Sequence, residues 1–269
     1  MKPKILVAVF GLGVFCCCLS NADVPKNYKF HSDQLNINVS VPPAFIYVAD
    51  SAGRRTGADP NGSLDAQGEQ GTSSLSGLKE IPLSSVDQVN IGDDSVNNTG
   101  APNPTTGWHI HISDGGAQTY TLNVVGLIAG NSVIYVNGYL PHRLPHHVFS
   151  TRFSVLSSKG QIHQIQLIYN PTQRLIVPKR VVSASDLPND VQTACQLNLI
   201  SPGGTCQNLE TKADSIAKDN SNNDTKSEIQ HLQVFLSALQ SAGKSHVQGP
   251  AFTVLQEEAQ ALLNVLNGN

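Results

Sequence analysis

The hydrophobic period of the chain changes near residue 180, and this change constrains the fold more than any other feature. Before it, from Leu35 to about Val177, apolar residues recur at every second position, which is the spacing of a strand with one buried and one solvated face. From Leu187 onward, apolar residues recur every three or four positions, as in an amphipathic helix. We therefore expect an all-β region followed by an all-α region.

The first region predicts about eight short strands with no helix between them. Clusters of Gly, Asn, Asp and Pro separate the strands, and such clusters are typical of the turns of an antiparallel sandwich. The predicted fold class is an all-β antiparallel sandwich joined to a separate small all-α bundle. The alternating segments are LNINVSV, AFIYVA, VDQVNI, WHIHIS, TYTLNVV, SVIYVNGY, HVFSTRFSVLS and QIHQIQLIY.

The second region predicts four helices that form a small bundle. In the third of them, Thr225 and Glu228 have the spacing of a capping box, and Gly243 is placed to end the helix. The four helices are expected at about 189–199 and 205–218, in TKSEIQHLQVFLSALQSAG and in GPAFTVLQEEAQALLNVL. The predicted organisation is a signal peptide over 1–22, a sandwich over 23–178, a linker over 179–187 and the bundle over 188–269.

The first 22 residues have the anatomy of a secretory signal peptide. Two lysines precede an apolar run from Ile5 to Leu19, and Ser20-Asn21-Ala22 supplies small residues for cleavage. The run is shorter than the roughly 20 residues that span a bilayer, so we expect no transmembrane span in the mature chain. The predicted location is secreted, periplasmic or cell-surface. A lipoprotein anchor on Cys16-Cys17-Cys18 is the alternative, although bulky Phe15 precedes the first of these cysteines.

Cleavage after Ala22 leaves two cysteines, Cys195 and Cys206, in a chain that enters an oxidising compartment. We expect them to form a disulfide. The turn at Pro202-Gly203-Gly204 between them can bring two helices to the short Cα separation that a disulfide requires. Two free thiols in a metal or redox site are the alternative, but ten intervening residues do not match the compact cysteine pairs of such sites.

Charge and motif content argue against two classes of function. The net charge is −3, and no basic stripe lies on a predicted helix, so no nucleic-acid partner is expected. No Gly-x-Ser-x-Gly elbow is present, and paired carboxylates cannot be identified, so nucleophilic or acid–base catalysis has little support.

Several motifs in the chain resemble those of exported bacterial modular proteins. VADSAGRRTGADPNG, KEIPLSS and DGGAQTYTLNVVGLIAG occur in an order that is similar to the β-sandwich module of the pre-peptidase C-terminal type. The tail, with its two cysteines around a glycine pair and its phenylalanine-led helix, resembles the FIMAH-type helical domain. This resemblance implies a non-catalytic accessory or surface-associated role. Where the module has an aromatic residue before the Asp-Pro pair, this chain has Ala58.

One loop offers oxygen ligands at the spacing of a calcium loop. Asp59, Asn61, Ser63 and Asp65 occupy every second position, and carboxylate and amide oxygens suit calcium. The sixth and twelfth positions of an EF-hand loop, a glycine and a bidentate glutamate, are absent. A hydrophilic turn between strands explains the same residues and is the interpretation we favour. No cofactor is therefore expected, with calcium in this loop as the alternative.

A group of histidines offers ligands for a transition metal. His109 and His111 share one face of the strand WHIHIS, opposite Trp108. A third ligand, from His142, His146 or His147, would complete a zinc or copper site, for which we take His109, His111 and His146. The alternative is that the outer face of a sheet carries polar rings, and His163 is interpreted as facing outward in the same way.

The function predicted from these observations is a non-catalytic secreted or cell-surface module that binds an unknown protein or carbohydrate. A secreted metal-dependent enzyme using the histidine cluster is one alternative. A calcium-stabilised adhesion module is the other.

Overall fold

The computed structural model describes residues 33–39, 44–58, 78–90, 106–126, 128–140 and 148–268. All of them belong to one compact unit. They form two antiparallel β-sheets followed by four helices. The succession of an antiparallel β region and a helical region, predicted from the change of hydrophobic period, is confirmed.

Eleven strands are present within the described ranges, rather than about eight. The added ones include two strands of two or three residues, which are too short to show a period of two. The strands are β1 (Gln34–Val39), β2 (Ala44–Ala49), β3 (Arg55–Gly57), β4 (Leu78–Lys79), β5 (Ser84–Asn90), β6 (Thr106–Ser113), β7 (Gln118–Gly126), β8 (Gly130–Tyr139), β9 (Val148–Ser157), β10 (Ile162–Asn170) and β11 (Leu175–Val181).

The two sheets share one apolar core. One sheet has the order β5-β6-β1-β8-β9 and the other has the order β11-β10-β7-β2-β3-β4. Alternate residues of strands in both sheets contribute to a single buried cluster, as period-two patterning requires. Between the sheets, the rings of Phe149 on β9 and Tyr169 on β10 are stacked with their centroids 5.9 Å apart.

The helices that follow have the amphipathic spacing expected from the sequence. They are α1 (Asp186–Gln196), α2 (Gly203–Ser221), α3 (Thr225–His246) and α4 (Gly249–Leu266). Within α3, Gly243 has a φ of 57° and interrupts the regular helix, as a glycine can at no steric cost. Among the described residues, no helix is both long enough and apolar enough to cross a membrane.

The predicted capping box of α3 is wrong by one residue. Asp224, not Thr225, is the N-cap, and its Oδ1 accepts a hydrogen bond of 3.1 Å from the backbone N–H of Ser227. Glu228 is buried and its carboxylate accepts from Nδ2 of Asn220 at 3.3 Å. Aspartate is a stronger N-cap than threonine, which explains the shift.

The helices have an apolar cluster of their own, but they also pack on the sheets. Leu156 of β9 belongs to the helical cluster, and α1 and α4 contact β9 while α4 also contacts β11. β11 ends at Val181 and α1 begins at Asp186, so the connection is shorter than the predicted linker 179–187. The helices therefore form a layer on the sheets rather than a bundle that stands apart.

The predicted pairing of Cys195 with Cys206 is confirmed. The two residues form a disulfide between α1 and α2 with their Cα atoms 5.9 Å apart. α2 begins at Gly203, so of the predicted turn Pro202-Gly203-Gly204 only Pro202 lies in the connection between these helices. The disulfide fixes α1 against α2 at the start of the helical layer.

Candidate functional site

A cluster of buried ionisable residues lies where the helical layer meets the sheets. It consists of His163 on β10, Arg180 on β11, Asp190 on α1 and Glu258 on α4, and we call it the joint cluster. The exposed fractions of these side chains are 8%, 9%, 0% and 4%, respectively. Charged residues are almost never so deeply buried unless they are paired. The joint cluster is therefore the candidate functional site.

Helical spacing places both carboxyl groups of the joint cluster on buried faces. Asp190 and Glu258 each lie three or four residues from apolar side chains, so they share a helix face with them. Their buried neighbours at this spacing are Leu187 and Ala194 on α1, and Val254, Leu255 and Leu262 on α4. Each carboxyl group therefore points from an apolar stripe toward the sheets.

The interpretation of His163 as an outward-facing residue is wrong. The residue is 7% exposed and follows the same alternation as Ile165, Leu167 and Tyr169 of β10, which are all buried. Its ring therefore lies on the core side of the strand, at the end that the helices cover. The sequence carried this signal, because His163 is in phase with the apolar residues of QIHQIQLIY.

Arg180 connects three elements through one guanidinium group. Its Nη1 lies 3.3 Å from Oε1 of Glu258, and its Nε lies 3.2 Å from Oε2 of Glu257. Its Nη2 also donates a hydrogen bond to the backbone carbonyl of Ser154 on β9. Arg180 lies opposite Ile165 in the register of β10 and β11, so both side chains point to the same, buried face.

Asp190 is held by a residue that precedes β10. Nε2 of Gln161 donates to Oδ1 of Asp190 at 2.7 Å, and Nε2 of His163 lies 3.5 Å from the same oxygen. Contacts from α1 to β10 and from α4 to β11 therefore meet at the joint cluster. The polar contacts between the helical layer and the sheets are concentrated there.

Burial shifts the pKa values of the joint cluster away from the charged forms. Burial lowers the pKa of His163 to about 4, and the positive charge of Arg180 lowers it further. Burial raises the pKa of Asp190 well above its usual range, and the neighbouring Glu258 raises it further. Burial also raises the pKa of Glu258, against the opposing effect of Arg180. The environment of the joint cluster therefore favours a neutral imidazole and disfavours ionisation of both carboxyl groups.

Three polar atoms of the joint cluster have no hydrogen-bond partner in the described part of the chain. They are Nε2 of His163, Oδ2 of Asp190 and Oε2 of Glu258. The three side chains each bring one ligand atom to within 4.8 Å of the others. A cavity of about 10 Å³ lies beside them, lined by His163, Glu258 and Asp186 among others. This volume has room for about one water molecule.

The predicted calcium ligands lie outside the described residues. Asp59, Asn61, Ser63 and Asp65 fall in the interval 59–77. The calcium interpretation of this loop stays a prediction.

The predicted histidine site lies partly within the structure. His109 and His111 are both on β6 and half-buried. Trp108, which precedes His109, and Ile110, which lies between the two histidines, point to the core. Nδ1 of His111 is bonded to Oδ1 of Asn36, and its Nε2 lies 2.8 Å from Oγ of Ser113. Both ring nitrogens of His111 therefore have protein partners. His146, like His142 and His147, lies outside the described residues.

A second group of possible metal ligands lies at the disulfide. Cys195, Cys206 and Glu210 lie within 4.8 Å of one another. Because the two sulfurs are bonded to each other, they do not offer the thiolates that metal binding requires. The joint cluster is the stronger candidate.

Comparison with protein-family models, curated proteins and solved structures finds no match for this chain.

Proposed function

We propose that the protein is an exported, non-catalytic accessory module that binds a protein partner at the cell surface through the outer face of β10 and β11. In this proposal the two sheets act as a β-sandwich, and the helical layer is a fixed cap on one part of it. The leader-like first 22 residues support export, as does a disulfide that persists in oxidising compartments. The resemblance to pre-peptidase C-terminal and FIMAH-type modules supports the accessory role.

The observation that carries the proposal is an exposed aliphatic face on these two strands. Ile168 and Val177 lie directly opposite each other in the register and are 40% and 38% exposed. The same face continues with Ile162, Leu175 and Val181, which are also exposed. Exposed apolar side chains that are grouped on one face mark interaction surfaces, whereas single ones need no explanation. We call these five residues the aliphatic face.

A protein surface fits the aliphatic face better than a carbohydrate does. Branched aliphatic side chains offer apolar area with few hydrogen-bond donors, and the core of a protein–protein interface is of this kind. Gln166 and Lys179, which lie opposite each other between the two apolar ends, supply the polar positions. The partner is therefore expected to present an apolar patch.

The free edge of β11 is less suited to binding than the face. β11 is the outermost strand of its sheet, and it carries Pro178 and Lys179. Proline lacks the N–H that a ladder needs, and lysine discourages edge-to-edge pairing. We therefore place the contact on the face of the sheet and not on its edge.

The test first identifies the partner of the exported protein and then measures the affinity between the two purified proteins. Cross-linking in the exported fraction identifies the partner, and direct binding is then measured with both proteins purified. The variant Ile168→Asp/Val177→Asp is expected to weaken binding by at least about tenfold, because side chains at the centre of an interface contribute most of the binding free energy. The matched control is Val265→Asp, which changes a valine of α4 that is 66% exposed.

Equal binding by wild type and the double variant would overturn the proposal, and so would a glycan ligand whose affinity the double variant leaves unchanged. The export part is checked separately by the mass of the mature protein, which is expected to begin at Asp23. Retention of the uncleaved leader on a cytoplasmic protein would contradict it.

A further inference from the structure

We propose that His163, Asp190 and Glu258 form a binding site for one divalent transition-metal ion of the zinc type, which joins the helical layer to the sheets. The site is distinct from the histidine and calcium sites that the sequence suggests. It is also independent of the aliphatic face.

The donor atoms converge from three separate elements. β10 supplies an imidazole nitrogen, while α1 and α4 each supply a carboxylate oxygen. One ligand atom of each residue lies within 4.8 Å of the ligand atoms of the other two. Two ligand atoms that are bound tetrahedrally at zinc distances are separated by about 3.4 Å, so the three side chains are close enough to share one ion.

Each donor residue has one atom fixed from outside and one atom left for a ligand. Nε2 of Gln161 holds Oδ1 of Asp190, and Nη1 of Arg180 holds Oε1 of Glu258. The ring of His163 hydrogen-bonds the backbone of Leu156, and because Nε2 has no partner, Nδ1 is the donor in this bond. Such outer partners orient ligands and fix the tautomer of a metal-binding histidine.

The atoms left over are the unpartnered ones. Nε2 of His163, Oδ2 of Asp190 and Oε2 of Glu258 belong to three side chains that each bring one ligand atom to within 4.8 Å of the others. Buried acceptors that face one another repel unless a proton or a cation lies between them. A divalent ion satisfies all three at once, whereas one proton satisfies two.

The local charge favours a cation. Arg180 is shared between Glu257 and Glu258, and Asp186 adds a further negative charge close enough to affect both Asp190 and Glu258. The carboxyl groups around the joint cluster therefore outnumber the guanidinium group that faces them. An ion with two positive charges offsets the ionised pair Asp190 and Glu258.

The donor set selects the class of ion. One neutral imidazole and two carboxylates suit zinc and its first-row neighbours. Calcium takes six to eight oxygen ligands, and magnesium keeps several waters in an octahedral shell, whereas these three residues supply one nitrogen and two carboxylate groups. Because all three residues are buried and come from three elements, an ion bound here links the helical layer to the sheets.

The binding experiment uses the mature full-length chain without an affinity tag, after treatment with a chelator. We expect one equivalent of zinc to bind, and we expect the melting temperature to rise with zinc but not with calcium or magnesium. Asp190→Asn keeps the shape of the side chain and its contact with Gln161, yet it removes a ligand charge. This variant and His163→Gln are expected to lose the zinc-dependent rise.

The matched controls change histidines elsewhere. His231→Gln alters a histidine on α3 that is paired with Asp219, and His109→Gln/His111→Gln alters the pair on β6. Both variants are expected to keep one equivalent of zinc. Loss of binding in the β6 variant together with retention in Asp190→Asn would overturn the assignment. Failure of the wild type to bind zinc, cobalt or manganese would overturn it as well.

A measurement on the wild type guards against variants that do not fold. X-ray absorption of the zinc-loaded protein is expected to show one imidazole and otherwise oxygen ligands at about 2.0 to 2.2 Å. Two or more imidazoles around the zinc would overturn the proposal. The proposed partner binding is tested by different residues, so either proposal can fail without the other.

Discussion

Nη1 of Arg180 on β11 lies 3.3 Å from Oε1 of Glu258 on α4, and both side chains are more than nine-tenths buried. The same guanidinium group donates to the Ser154 carbonyl on β9 and contacts Glu257. One side chain therefore ties two strands of different sheets to the last helix. This contact has a measurable consequence for stability, because a buried charge that loses its partner stays desolvated.

Replacing Arg180 by Met is expected to lower the free energy of unfolding by about 3–5 kcal/mol. The reason is that Glu258 is left buried without a cation. Urea denaturation at neutral pH measures the change. The control is Lys179→Met, because Lys179 is the exposed neighbour on the opposite face of β11. The double variant Arg180→Met/Glu258→Leu is expected to recover most of the loss, and a single-variant loss below about 1 kcal/mol would contradict the prediction.

Removal of the disulfide by Cys195→Ala/Cys206→Ala is expected to lower the free energy of unfolding by about 2–3 kcal/mol. The bond closes a short loop, with a sequence separation of 11, and its loss gives the unfolded chain more freedom. Denaturation of the wild type with and without a reducing agent is the measurement. A reductant that destabilises the wild type and the variant equally would show that the bond does not stabilise the protein.

The contribution of His163 to the stability of the chelator-treated protein, measured as the difference in unfolding free energy between the wild type and His163→Gln, is expected to fall as the pH decreases from about 6.5 to about 4. Burial lowers the pKa of His163 from 6.5 to about 4, so in this window the unfolded chain binds a proton that the folded chain does not. Its contribution, about 3 kcal/mol, is therefore complete above the unfolded pKa and decreases as the pH falls toward the folded one.

The carboxyl groups of the joint cluster act in the opposite direction. Burial raises the pKa of Asp190 and Glu258, so the folded chain binds more protons than the unfolded one above the usual carboxyl pKa. Their contribution favours the folded state at low pH and is lost as the pH rises. The variant His163→Gln separates the effect of the histidine from that of the carboxyl groups, because it is expected to remove the loss of stability that protonation of His163 causes below about pH 6.5. An unchanged pH profile in this variant would rule out His163 as the source.

Gly57→Ala is expected to destabilise the protein by about 1–3 kcal/mol, as overpacking does. A Cβ at this position would overlap the Ile46 carbonyl oxygen and the Cα of Tyr47 on β2, and Gly57 has a φ of 132°. Backbone atoms of a neighbouring strand cannot move aside cheaply. Gly204→Ala on α2 meets open space and serves as the control, which is expected to be neutral or slightly stabilising. Thermal unfolding compares the two, and equal melting temperatures would contradict the prediction.

The strands and helices were predictable from the sequence because their signals are local. The alternation around Ile110 and the stripe around Phe235 depend on neighbours within a few residues. The shortest strands were missed, because β3 and β4 contain too few residues to establish a period. β11 was missed as well, because its apolar residues Leu175 to Val177 are followed by Pro178 and a charged pair, which are typical of a strand boundary.

The candidate site was not predicted, although each of its residues carried a partial signal. His163 is in phase with buried residues of β10, and both Asp190 and Glu258 interrupt apolar helix faces. A single polar residue on an apolar face is not by itself evidence for a site, because its partner is not visible in the local pattern. The histidines that drew attention, His109 and His111, were conspicuous for their spacing alone.

The sequence by itself determined the eight longer strands that it named, the four helices, and that Cys195 and Cys206 can close a short loop. Only the tertiary structure decided that His163, Asp190 and Glu258 meet, since they come from three elements that are far apart along the chain. Hydrophobic burial is non-directional, so a periodic pattern shows that a face is covered but not what covers it. The packing of α1 and α4 on β9 and β11 supplies that information and turns three isolated polar residues into one site.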